Sequence, residues 1–142
     1  MATTRTANAH WEGSLMEGAG NVSLDSSNVG SFDVTWASRA EQANGKTSPE
    51  ELLAAAHSTC FSMSLSHALA GDGHAPESIK TRADVDFQAG VGITGIKLTV
   101  RGTVDGLSND EFVEAAATAK ESCPVSKALA GTTITLDAAL AG

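Results

Sequence analysis

Residues 48–73, SPEELLAAAHSTCFSMSLSHALAGDG, contain the start, the body and the stop of one helix. Ser48 is placed to cap the N-terminus, Pro49 suits the first helical position, and Glu51 completes a capping box three residues after the serine. Gly71 and Gly73 lie where a helix ends, so the segment is expected to run to about Ala70. Its middle is apolar or small on nearly every side, which predicts burial on several faces. A bilayer span needs about 20 mostly apolar residues. Here His57, Ser58, Ser62, Ser64, Ser66 and His67 interrupt the run, so a buried helix of a soluble protein is expected.

On either side of this helix the period changes from helical to alternating. Upstream, NAHWEGSLMEG, GNVSLDSS and VGSFDVTW are strand-like: Val22 and Leu24 alternate with Ser23 and Asp25, and Phe32, Val34 and Trp36 with Ser31, Asp33 and Thr35. Turn residues at Gly18, Gly20, Asn28 and Gly30 predict an antiparallel meander. The polar stretch ASRAEQANGKTS then reads as a loop with an Asn44–Gly45 turn. Downstream, SIKTRADVDFQ and GITGIKLTVRGTV predict two long strands joined through AGVG. Ser108 and Glu111 form a second capping box ahead of DEFVEAAATAKES. Pro124 ends or redirects that helix, and TTITLDAAL is a last strand. Three strands, helix, two strands, helix, strand is an α+β order, expected as one domain over residues 1–142.

The bulk numbers remove several functions. A net charge of −8 over 142 residues leaves no general basic face for nucleic acid, and it disfavours anionic membrane. MATTRTANAHWEG lacks the apolar core of a signal peptide, so a cytoplasmic protein is expected. Two cysteines in a reducing compartment are more often free or redox-active than a permanent staple.

Those cysteines are the main chemical candidates. Cys60, inside the helix, fits an inert core thiol, half of a disulfide, a metal ligand or a reactive thiol. A reactive thiol mid-helix needs a cation nearby; Arg39, Arg82, Arg101 and His57 are the candidates. Cys123 is equally open: the end of one helix raises its pKa, whereas capping a new turn at PVSKALAG lowers it. A metal set of His57, Cys60 and His67 is a weaker reading, because no close ligand pair of the zinc type is present. No G-x-S-x-G elbow marks a serine hydrolase, and GVGITG lacks the lysine of a phosphate loop. Glu51 has a capping duty, whereas Glu50 has none and can fork an arginine.

The stretch SPEELLAAAHSTCFSMSLSHAL together with CPVSKAL, separated by two strands and a helix, closely resembles the OsmC/Ohr family of osmotically inducible and organic hydroperoxide resistance proteins. The likeness extends from HWEGSLMEGAG to TTITLDAAL. Arg39, just after the third strand, and AAHSTCFSM resemble the OsmC branch more than the Ohr branch, whose arginine tends to lie nearer the N-terminus. The resemblance implies an α+β fold of curved antiparallel sheets around long central helices, in an intertwined homodimer with active sites at the interface. It implies a thiol peroxidase that prefers organic hydroperoxides to hydrogen peroxide and needs no metal, haem or flavin. Cys60 matches the peroxidatic cysteine, Cys123 the resolving one, Arg39 the arginine that activates the thiolate, and Glu50 the carboxylate that orients it. The partners implied are a second copy, a hydroperoxide and a dithiol reductant, in this family often a lipoyl-bearing protein. Leu52, Leu53, Phe61 and Met63 are the apolar residues expected around the thiol. The rival on the same fold is a non-catalytic stress or ligand-binding dimer.

Overall fold

Alternation in the first fifty residues produces a three-stranded antiparallel sheet. The computed structural model describes residues 1–142, and the chain divides into two units, Met1–Leu52 and Leu53–Gly142. In the first, β1 (Asn8–Glu12), β2 (Ala19–Ser23) and β3 (Ser31–Val34) pair in the order β1-β2-β3. The register sets Ala9 opposite Val22, Trp11 opposite Gly20, and Gly20 opposite Val34. Period two therefore collects Ala9, Trp11, Val22 and Val34 on one face. Gly20 is required there, because a Cβ on it would lie 2.6 Å from the Trp11 ring.

The expected loop after β3 begins instead with a short helix, α1 (Trp36–Ala40). Thr35 caps it, and Thr35 and Ser38 bond each other's backbone N–H reciprocally. The Ser38 hydroxyl also lies 2.9 Å from the Thr47 carbonyl, tying α1 to the segment that leads into the next helix.

That helix, α2 (Pro49–Gly71), starts and stops where the sequence predicts. Ser48 accepts from the Glu51 N–H at 3.1 Å, but the Glu51 carboxylate takes the Thr47 hydroxyl at 2.6 Å, so only half of the capping box forms. In the second unit α2 continues beside β4 (Ser78–Gln88), β5 (Gly92–Thr103), α3 (Asn109–Ser122), α4 (Pro124–Ala128) and β6 (Ile134–Leu140). The β4–β5 hairpin turns on Gly90 and Gly92, both at positive φ. A bulge at Asp86–Phe87 interrupts the ladder, a feature that bends a strand. The Ser108–Glu111 capping box of α3 forms in full.

Two expectations change here. β6 pairs with β5 in parallel, so the second sheet, β4-β5-β6, is mixed rather than wholly antiparallel. A parallel pair needs a long crossover, and α3 and α4 supply it. Helix α2 is buried along one stripe only, His57, Phe61, Leu65 and Leu69, whereas Ala55, Ala56, Thr59, Met63 and His67 remain exposed.

The stripe packs into the core of the second unit with Leu98 and Val100 of β5 and Phe112, Ala116 and Ala119 of α3. Gly102 lies on the same buried face of β5, and Phe112 occupies the space a side chain would take. A Cβ there would meet the ring at 2.6 Å. We expect Gly102→Ala to lower the unfolding free energy by about 1–3 kcal/mol, read by urea denaturation. An unchanged midpoint would show that Phe112 can step aside.

Candidate active site

Helix α1 positions Arg39 to meet the start of α2. The Arg39 Nε donates to both Glu50 carboxylate oxygens at 3.1 Å and Nη2 donates to Oε2 at 2.9 Å. Glu50 is 6% exposed, so its charge is neutralised by this fork rather than by water. Glu50 faces inward while its neighbour Glu51 turns to Thr47, and this divides the two carboxylates between clamp and cap. Arg39 also lines a cleft of about 430 Å³ in the first unit, whose other walls include Trp11, Leu15, Val22, Trp36 and Leu52. A guanidinium at the edge of an apolar cleft suits a ligand with an oxygen-rich end and a greasy body.

The thiols meet in the second unit. Cys60 of α2 and Cys123, the hinge residue between α3 and α4, are both free, with sulfurs 3.1 Å apart. A disulfide is about 2.05 Å long, so the two unbonded sulfurs are one short movement from bonding. Cys60 is partly exposed and Cys123 is fully buried.

Burial raises the Cys60 pKa, and the neighbouring Cys123 adds to the rise, outweighing hydrogen bonds from the Val125 backbone and Ser64. Burial pushes Cys123 up too. In its case the Ser126 N–H, the Cys60 thiol, the Ser126 hydroxyl and the Val125 N–H outweigh burial and pull the pKa down. The two openings left by the sequence are thus both real: Cys123 ends α3 and caps α4, and the donors at the start of α4 prevail. Cys123 is thus the thiol whose pKa is drawn down, and Cys60 the one with solvent access.

Each of the three candidate arginines is ion-paired, and the candidate histidine is uncharged. Arg82 is paired with Asp84, and Arg101 with Asp137. Burial lowers the pKa of His57, leaving a neutral ring. Arg39 is the candidate whose guanidinium is held in a fork at a cleft. Of the apolar residues expected near the thiol, Leu52 lines the Arg39 cleft, Phe61 lies in the core of the second unit, and Met63 is exposed.

The metal reading fails on geometry. His57 is buried against Ser126 at 2.7 Å, His67 is exposed, and no group of three or more His, Cys, Asp or Glu side chains is arranged to hold an ion. No helix is long and apolar enough to cross a membrane. Ser126 is the residue the sequence reading passed over. Its one signal is its place three after Cys123, the spacing at which a capping residue meets the third helical position.

The sequence profile described as "OsmC-like protein" matches residues 42–137. Peroxiredoxin OsmC of Escherichia coli (strain K12) is 41% identical over 140 residues, covering 96% of each chain. The solved organic hydroperoxide resistance protein OsmC of Legionella pneumophila superposes with a TM-score of 0.76 at 25% identity, covering 98% of both chains. The organic hydroperoxide resistance protein OhrB of Bacillus subtilis gives 0.71 at 25% identity, covering 96% of this chain and 98% of that one. This chain belongs to the OsmC-like protein family.

Proposed function

We propose that this protein is a thiol peroxidase that reduces organic hydroperoxides to alcohols in the cytoplasm, and hydrogen peroxide more slowly. The observation that carries the reading is the pair of cysteine sulfurs 3.1 Å apart, one residue partly exposed and one buried. Peroxide from solvent reaches Cys60 and not Cys123. The Cys60 thiolate attacks the distal peroxide oxygen, the O–O bond breaks, and the alkoxide takes a proton and leaves as alcohol. Cys60 is then a sulfenic acid. Cys123 attacks its sulfur, the S–O bond breaks, and water departs from a Cys60–Cys123 disulfide. A dithiol reductant reopens the bond; a lipoylated protein is our candidate.

The Cys60 pKa, raised within its own unit, sets what else the reaction needs: a cation that favours the thiolate. We assign that role to Arg39, oriented by Glu50, in line with the family resemblance. The same guanidinium stabilises charge developing on the peroxide oxygens. The apolar walls of its cleft favour an organic over a wholly polar peroxide. We also propose the homodimer typical of the family. The uncovered face of α2, with Ala55, Ala56 and Met63, supports it.

Peroxide consumption with dithiothreitol as donor tests the assignment. We expect cumene hydroperoxide to be consumed faster than hydrogen peroxide, and both faster than by dithiothreitol alone. Wild-type protein no faster than the free dithiol would leave a non-catalytic ligand-binding role.

The disulfide has a stability consequence. It closes a loop across 63 positions, and constraint of the unfolded chain predicts a gain of about 4 kcal/mol on oxidation. Denaturation of peroxide-treated protein, with and without reductant, measures the difference; equal midpoints would mean that the bond strains the fold as much as it restrains the unfolded chain.

A further inference from the structure

Helix α4 is five residues long, Pro124–Ala128, and begins directly after Cys123. A helix this short is not held in place by its own backbone bonds, so its contacts decide where Cys123 sits. A buried side-chain pair ties it to α2. His57 Nε2 lies 2.7 Å from the Ser126 hydroxyl, with His57 fully buried and Ser126 almost so. Nothing in the peroxidase chemistry above uses either group.

The pair is in step with the thiols. On α2, Cys60 follows His57 by three residues, one turn along the same face. Ser126 follows Cys123 by three residues, again one turn. The contacts His57–Ser126 at 2.7 Å and Cys60–Cys123 at 3.1 Å are therefore two rungs between the same two segments, a turn apart on each. Lifting α4 from α2, or sliding it along α2, separates both at once. The donor in the first rung follows from the other ring nitrogen, because Nδ1 is buried with no partner. A neutral imidazole carries one N–H, and on Nδ1 it would be a buried donor without an acceptor, a costly arrangement. Nε2 therefore carries the proton and donates to Ser126 Oγ.

We propose that His57 and Ser126 are positioning residues for the resolving step: their hydrogen bond clasps α4 to α2 and sets the Cys123 sulfur within reach of Cys60. The clasp touches no reacting atom and acts through placement, by keeping the second thiol at a high effective concentration. It has no part in the capture of peroxide, which Cys60 performs alone. It deepens the peroxidase reading and relies on that reading for the identity of the sulfenic acid, but closure of the disulfide can be followed without peroxide.

Dithiobis(nitrobenzoate) provides that probe on the full-length reduced protein. The partly exposed Cys60 thiolate attacks the reagent, forms a mixed disulfide and expels one thionitrobenzoate. Cys123 then attacks the Cys60 sulfur, breaks the mixed disulfide and expels a second thionitrobenzoate as the internal bond closes. In wild type we expect both releases. In Ser126→Ala and in His57→Met the first release keeps its rate and the second slows about tenfold, the scale of one buried hydrogen bond broken with a partner left behind. Ser126→Ala removes a single oxygen atom and carries the test should His57→Met fail to fold. Two further variants separate a clasp from a filler of space. The amide N–H of His57→Gln reaches to where Nε2 stands and restores most of the second rate, whereas that of His57→Asn reaches only to where Nδ1 stands and does not. The proposal is overturned by a wild type that makes no second release, by a second rate unmoved in Ser126→Ala, or by His57→Gln as slow as His57→Asn, which would mean that the ring merely packs. A first release slowed as much as the second would show a general disturbance of the thiols and overturn it too. A protein that closes its disulfide in this assay yet consumes no peroxide would contradict the peroxidase reading alone.

Discussion

Cys60→Ser is expected to lose all hydroperoxide turnover above the dithiothreitol background. A serine hydroxyl has no accessible anion at neutral pH and forms no sulfenic acid, and Cys123, with no solvent exposure, offers peroxide no second point of attack. Cys123→Ser behaves differently. Its Cys60 remains partly exposed, so the first turnover is retained, but the sulfenic acid has no thiol to condense with and persists. Mass spectrometry after dimedone treatment should find an adduct on Cys60 in Cys123→Ser and none in Cys60→Ser. The opposite pattern would exchange the roles of the two thiols. The asymmetry rests on access rather than on acidity, because within this unit Cys123 is the better thiolate.

Arg39→Met is expected to reduce turnover of cumene hydroperoxide by about 10²–10³-fold, the usual cost of removing one preorganised donor from developing negative charge. Arg39→Lys should recover little. The Glu50 carboxylate is gripped by a planar fork of Nε and Nη2, which a single ammonium cannot reproduce. Glu50→Gln keeps the shape but loses the charge that holds the guanidinium, and an intermediate loss is expected. Because Arg39→Met strands a buried carboxylate, the double variant Arg39→Met with Glu50→Gln serves as the control. It should regain stability without regaining activity. Activity that returned with stability would show the fork to be purely structural.

The sequence made some of this arrangement legible and hid the rest for physical reasons. The ends of α2 were readable because Ser48, Pro49 and Gly71 act locally. The Ser108–Glu111 box was readable in the same way. Helix α1 was hidden because it is five residues long and its cap pairs Thr35 with Ser38 rather than with a glutamate. The single buried stripe of α2 was hidden because alanine and serine give little contrast between faces, so spacing could not separate Phe61 and Leu65 from their neighbours. The parallel pairing of β6 depends on where a two-helix crossover returns the chain, which no local pattern encodes. Cys60 and Cys123 are far apart in sequence, and only the family resemblance paired them before the fold placed their sulfurs in contact. Glu50 was singled out because it had no capping duty; Ser126 had no comparable mark.

The central claim is that these two thiols carry the oxidising equivalent of one peroxide as an internal bond. The most direct test is a single turnover. Fully reduced protein receives one equivalent of cumene hydroperoxide without reductant and is analysed by mass spectrometry. The account predicts a monomer chain lighter by two hydrogens, a peptide containing Cys60 linked to one containing Cys123, and one equivalent of cumyl alcohol. Unchanged thiols with the hydroperoxide still present, or a disulfide only between chains, would contradict it.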